Sequence, residues 1–220
     1  MSDVESGGYV PGEVAQRLFY TDLDGEPSDP DTTINEALDG AWEQREPEAV
    51  ALYADESASL YDRYLALSAL VRWGSPHGYA AVRAAAADPD GQPWRDVSID
   101  RLHSLDNTFG LLALDTENSR DMVEDRGTAD DRIATLAALV GIADQVYFEH
   151  YLSPSGLLTE DIQQLQEPIK AAIEHGLGEL AAATVPLPGW VDDQVEELIA
   201  ALAYVDKEAA DAYKARFSEI

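Results

Sequence analysis

Three stretches of this sequence align on an arginine. Asp62-Arg63 is followed by Leu67 and Leu70, Trp94-Arg95 by Ile99 and Leu102, and Asp131-Arg132 by Leu136 and Leu139. An aliphatic residue therefore recurs at the fourth and seventh positions after each arginine. Those offsets stack side chains on one face of an α-helix but split them between the two faces of a strand. The arginines stand 32 and 37 residues apart, the length of a two-helix unit. One helix pair cannot cover its own apolar face, so such a chain must stack pairs and share a core along the stack.

The rest of the chain fits an all-α reading. Proline in the first turn opens a short helix over 11–20. An Asp-, Pro- and Gly-rich loop covers 21–31. A helix capped by Thr32 or Thr33 carries Ile34, Ala37, Leu38, Ala41 and Trp42 on one face, and Pro47 opens another with Val50 and Tyr53 inward. Between the arginine copies lie a helix over 77–87, closed by Asp88-Pro89-Asp90-Gly91, and a weaker one over 119–126. No run sustains the period-2 alternation of a strand. Past Tyr151 the repeat fades. Ser153-Pro154-Ser155-Gly156 breaks the chain, a helix from Thr159 meets Pro168, and after Pro186-Leu187-Pro188-Gly189 two closing helices span 192–205 and 207–217. The expected organisation is an irregular N-terminal segment with a short helix (1–31), helical repeats (32–152) and a C-terminal helical cap of the same domain (153–220).

This pattern resembles the HEAT repeats, especially their short bacterial type, on Ala69-Leu70, Gly74, Asp88-Pro89-Asp90, Arg95 and Arg132, over residues 47–143. The resemblance implies stacked antiparallel helix pairs in an α-solenoid or superhelix, with irregular helices at the ends. It also implies inter-repeat polar contacts for Arg63, Arg95 and Arg132. The Arg95 copy departs from the pattern: Trp94 replaces the aspartate before the other two arginines, and Asp100 and Arg101 add charge to its second helix.

Charge decides which partners such a fold can meet. The 220 residues hold 43 Asp and Glu against 14 Lys and Arg, a net charge of −29. Nucleic-acid affinity draws on cations that neutralise phosphates, and anionic membranes repel acids, so both classes are excluded. With no cysteine, disulfides, thiolate metal sites and cysteine nucleophiles are excluded too. A hydrophobic fraction of 45% still supplies a core. The excess lies at the ends: residues 1–60 carry 15 acids and 2 bases, 61–140 carry 13 and 8, and 141–220 carry 15 and 4. The start of the chain lacks the basic and apolar regions of a leader, and the longest apolar region, 133–146, is interrupted by Asp144 and Gln145. A cytoplasmic protein is expected.

Motifs for chemistry are thin. Asp22-Leu23-Asp24-Gly25 resembles the nucleophile motif of haloacid-dehalogenase-like phosphatases, but it follows an amphipathic helix where that motif needs a buried strand. An EF-hand starting at Asp22 would have Pro27 and Thr33 at the positions that require Gly and Glu. Asp192-Asp193 with Glu196-Glu197 places carboxylates on one helix face, as in magnesium-diphosphate enzymes. The diphosphate's basic partners are missing, and acids in a first turn suit the helix dipole. The four histidines show no zinc or di-iron spacing. No catalytic residue, metal ligand or cofactor is expected.

Aromatic and acidic residues remain as binding signals. Trp94, at a helix start in the aspartate slot, reads as an interface anchor. The acids of the first loop, Asp22, Asp24, Glu26, Asp29 and Asp31, read as partner-binding. Trp190 reads as a staple for the helix it enters. The expected function is a non-catalytic, acidic helical module that binds a basic protein partner, with an inhibitor or immunity protein for a basic effector as the sharpest form. The alternative is a HEAT-like scaffold whose acidity reflects a salt-rich cytoplasm. A second alternative is a metal-dependent enzyme on a helical scaffold.

Overall fold

The computed structural model describes residues 9–220, and the leader reading of residues 1–8 lies outside them. Among the described residues the chain forms α1 (Glu13–Phe19), α2 (Pro30–Glu36), α3 (Trp42–Ala54), α4 (Leu60–Arg72), α5 (Pro76–Ala86), α6 (Thr108–Asn118), α7 (Val123–Arg126), α8 (Ala129–Val140), α9 (Thr159–Gln164), α10 (Gln166–Ala182), α11 (Gly189–Leu202) and α12 (Lys207–Phe217). Short 3-10 turns follow α2 (Ala37–Asp39) and α6 (Ser119–Met122). Two isolated bridges, Thr21–Pro27 and Ile99–Asp106, are the β pairing among the described residues. Among the described residues no helix is long and apolar enough to cross a membrane.

Helix α4 is the spine. Ser59 caps it by accepting the Asp62 amide at 3.0 Å. Its buried side chains run all the way round, from Tyr64 through Val71, as a helix enclosed on every side requires. Leu65, Ala66, Ala69, Leu70 and Trp73 join Ala15, Leu18, Phe19, Ile34 and Leu52 in an N-terminal core. Tyr64, Leu67 and Val71 face a larger core that runs through α5, α6 and α8 to α10–α12. The end of α4 is written locally. Gly74 takes φ +68°, its amide reaches the Val71 carbonyl at 2.9 Å, and the Ser75 amide reaches Leu70 at 2.9 Å. These are the paired bonds of a glycine-terminated helix. Ser75 then caps α5, with Pro76 in its first turn. A Cβ on Gly78 would stand 2.7 Å from the backbone of Leu70 and Val71, so the α4–α5 crossing requires glycine there.

Helix α3 packs on α4, α4 on α5 and α6, α5 on α8, and α10 on α11, which also meets α12. Two of the three arginine copies occupy helices. Arg132 in α8 is buried; it donates to the Thr116 carbonyl (2.9 Å), to both oxygens of Asp161 (2.9 and 2.7 Å) and to Glu117, joining α6, α8 and α9. Arg63 in α4 donates to the Tyr53 carbonyl of α3 at 3.0 Å.

The Arg95 copy is not a helix. Residues 87–107 run as turns, with Ile99 46% and Leu102 81% exposed. Asp96 and Ser104 adopt φ of +62° and +58°, and the Asp100 carboxylate accepts the amides of Leu102 (3.2 Å) and His103 (2.6 Å). Such side-chain bonds compete directly with a helix. Arg95 folds back onto Asp90 and Asp106 instead of bridging repeats. Trp94 is 1% exposed, between Tyr64 (ring centroids 6.1 Å) and Phe109 (5.3 Å). That burial removes it as an interface anchor: the irregular segment lays the ring between Tyr64 of α4 and Phe109 of α6.

Smaller differences have local causes. Asp29, not a threonine, caps α2 by accepting the Thr32 amide and hydroxyl at 3.0 and 2.8 Å. Gly40, at φ +113°, separates Trp42 from the preceding helix. Helix α3 starts at Trp42 and runs through Pro47.

Candidate functional site

A cleft of about 960 Å³ lies where three stretches distant in sequence meet: the loop at His103 and Leu105, the segment 147–150 after α8, and α11 with the Pro188 that precedes it. Its position follows from buried anchors. Pro188 ends the preceding loop and Gly189 begins α11, which buries Val191, Gln194, Val195 and Leu198. Gln194 holds the opposite wall. Its amide donates to the Val146 carbonyl (3.1 Å) and to Ala143, and its oxygen accepts the Phe148 amide at 2.6 Å. The buried Phe148 packs beside Gly110, where a Cβ would stand 3.3 Å from the Phe148 backbone. With that segment pinned, Tyr147, Glu149 and His150 line the cleft. Glu149 does so with φ of +54°. Left-handed backbone away from glycine concentrates at functional sites.

One wall is aromatic. Tyr147 stands between His103 (ring centroids 6.4 Å, 71°) and Trp190 (6.3 Å, 61°), both edge-to-face. Around it stand Glu149, Asp193, Glu196 and Glu197, and no lysine or arginine lines the cleft. Desolvation raises the Tyr147 hydroxyl above its ordinary pKa, and the charges of Glu149, Asp100, Glu197 and Asp193 raise it further, a sign of the negative field there. His150 Nδ1 lies 2.5 Å from Glu197 Oε1, and that bond raises the imidazole above its ordinary 6.5. Burial raises Glu197 as well, outweighing the support it gains from His150. Among the described residues, Asp193 and Glu196 have no hydrogen-bond partner and no group of three or more His, Asp or Glu is placed to hold a metal ion. The arrangement suits a cation that offers both charge and a flat or apolar surface.

The first acidic loop is built differently. Asp22 Oδ1 accepts the amides of Asp24 (3.0 Å) and Glu26 (2.8 Å), closing a turn through Gly25 at φ +87°. Asp29 is the α2 cap, and its two bonds from Thr32 hold its carboxyl below the usual range. Asp31 pairs with Arg72 at 2.8 Å, whose other nitrogens bind the buried Asp115 (2.9 and 2.7 Å). Asp24 and Glu26 are left exposed, with no side-chain partner among the described residues. Three of the five expected binding acids are therefore occupied by the fold. The structure brings neither them nor Trp94 to the cleft.

The cleft residues carried one signal in the sequence, the acidic run 192–197 after Pro-Gly-Trp, which reads on its own as a dipole-stabilised first turn. Trp190 is the second residue of α11, inside the helix and not at the position before the cap that a staple occupies, and its ring stands against Tyr147 in the cleft wall. No family model matches the sequence, and no match is found among curated proteins or solved structures.

Proposed function

We propose that the protein is a non-catalytic helical module that binds a basic protein partner through this acidic cleft, as an inhibitor or immunity protein for a cationic effector would. The carrying observation is the composition of the cleft: four carboxylates, two of them without internal partners, around an aromatic wall with no lysine or arginine. Opposite fields of this kind speed association and select partners. The same reading takes the α3–α4 and α5–α8 pairs as a short HEAT-like stack. The packing within these pairs, and the bond from Arg63 of α4 to the Tyr53 carbonyl of α3, support it.

Two charge-matched variants test the proposal against an oligo-arginine and an oligo-lysine peptide. Asp193→Asn with Glu196→Gln removes two unpartnered acids from the cleft, and Asp24→Asn with Glu26→Gln removes two from the first loop. Binding measured by calorimetry is expected to weaken as salt rises, because exposed charges are screened beyond about 8 Å near 0.15 M. The cleft variant is expected to lose about tenfold in affinity, equivalent to about 1.4 kcal/mol, and the loop variant to be unchanged. Equal losses in the two variants would mean that only the overall field attracts the peptides, and no binding at all would end the reading.

A further inference from the structure

The geometry points to a specific occupant for the cleft: an arginine side chain presented by a loop or terminus of the partner protein, its guanidinium against the Tyr147–Trp190 wall and bonded to the carboxylates of Glu149 and Asp193. This rests on the basic-partner reading and specifies its chemistry.

Three features select arginine. The wall is made of rings, and a guanidinium is planar, weakly hydrated and stacks on aromatic faces, whereas an ammonium is a compact, strongly hydrated point charge. The carboxylates come from two directions, Glu149 from the segment after α8 and Asp193 from α11. A forked donor can serve both at once, which a single ammonium does less well. Leu105, Pro188 and Ala200 add apolar lining, which a long methylene stem covers while its charged head reaches the acids.

Size and charge narrow the source. The cleft is at the top of the range for ligand pockets, about 300–1,000 Å³, so it admits the backbone that carries the arginine as well as the side chain. A second copy of this chain is a poor donor, since each copy carries −29 and offers 14 basic residues. Arg63, Arg72, Arg83, Arg95, Arg126 and Arg132 among them are already engaged within the fold. A basic partner has both the charge and free arginines.

The test uses the full chain and three probes: an arginine-rich peptide, the same peptide with every arginine replaced by lysine, and free spermidine. Binding is followed by calorimetry and by the indole N–H resonance of Trp190. The arginine peptide is expected to shift that resonance and to bind tighter than the lysine peptide by on the order of tenfold, the size of a partly desolvated cation–π contact. Trp190→Leu is expected to close the gap, Trp190→Phe to restore part of it, and Tyr147→Phe to keep it, each with an unchanged circular dichroism spectrum. If both peptides bind equally and the Trp190 resonance stays still, the arginine seat is overturned while the basic-partner reading stands. If neither peptide binds, both fall. Spermidine binding as tightly as the arginine peptide, with the same shift of Trp190, would replace the protein side chain by a small polyamine and overturn the inference.

Discussion

Pro93-Trp94 and Pro188-Gly189-Trp190 look like equivalent entries into helices, and the fold uses them in opposite ways. Trp94 lies on a segment that never becomes helical and is pressed between Tyr64 and Phe109. Trp190 does begin a helix, and its ring stays half-buried against Tyr147 at the mouth of a cleft. The difference lies in what waits beneath each ring. Trp94 lies over the larger core, where Tyr64 of α4 and Phe109 of α6 receive its ring. Beside Trp190 the buried positions of α11 are already taken by Val191, Val195 and Leu198. A tryptophan at a helix entry thus anchors the core or a partner according to the packing of elements far away in sequence.

Truncation separates the two most sharply. Trp94→Ala is expected to lose about 3–5 kcal/mol in urea unfolding, as for a fully buried aromatic, while the molecules that remain folded bind the arginine peptide normally. Trp190→Ala is expected to change stability far less and peptide affinity far more. If Trp94→Ala proved as stable as the wild type, the inward placement of that ring would be wrong.

The acids divide in the same way. Asp161 and Glu117 are buried against Arg132, and removing the cation leaves Asp161 without compensation and Glu117 with Arg120 alone. Arg132→Met is expected to destabilise by about 3–5 kcal/mol, the usual result of breaking a buried pair from one side. Adding Asp161→Asn and Glu117→Gln to that variant should recover part of the loss, because the penalty belongs to the stranded charges. Asp193→Asn with Glu196→Gln strands nothing and is expected to leave the unfolding midpoint at or above that of the wild type.

Gln194 connects the two kinds of region, being a core residue whose bonds set the cleft wall. Gln194→Met keeps the volume but orphans the Phe148 amide and the carbonyls of Ala143 and Val146. A loss of about 1–3 kcal/mol is expected, together with weaker peptide binding, since Tyr147 and Glu149 flank Phe148. A stability loss with affinity unchanged would separate the wall from its anchor.

The helices were legible because their signals are local. The arginine register marks α4 and α8, Gly74-Ser75-Pro76 marks a helix end and the next start, and Lys207–Phe217 is found where the pattern puts it. The Arg95 copy misled because its two aliphatic residues match the register while Asp96, Asp100 and Ser104 serve turns, a competition that periodicity does not weigh. The cleft was hidden for another reason. Its walls come from residues 103–105, 147–150 and 188–200, and their meeting depends on Gln194 and Phe148, which look like an ordinary polar and an ordinary core position in a single sequence. Counting acids drew attention to the first loop, whose carboxylates the fold largely consumes, and away from Asp193 and Glu196, which it leaves free.

The smallest expected effect is the one that most finely resolves the cleft. His150 is largely exposed, and its pKa is raised by the hydrogen bond and then by the charge of Glu197, with smaller help from Glu149 and Asp193. A histidine raised in the folded state adds stability that is fully present below its unfolded pKa of about 6.5 and is lost as pH rises through the higher folded value. The stability difference between wild type and His150→Gln is therefore expected to be greatest below that unfolded value and to vanish on the alkaline side, and to stay small throughout because solvent screens the pair. Affinity for the arginine peptide should move the opposite way. While His150 is charged it occupies Glu197 and offsets the negative field; once neutral it leaves that carboxylate to the incoming guanidinium. Wild-type binding is expected to tighten as pH rises through the folded pKa of His150, and His150→Gln to bind with a flat profile at the tighter level. An equally pH-dependent affinity in His150→Gln would show that Glu197 takes no part in holding the cation, leaving Glu149 and Asp193 to do so alone.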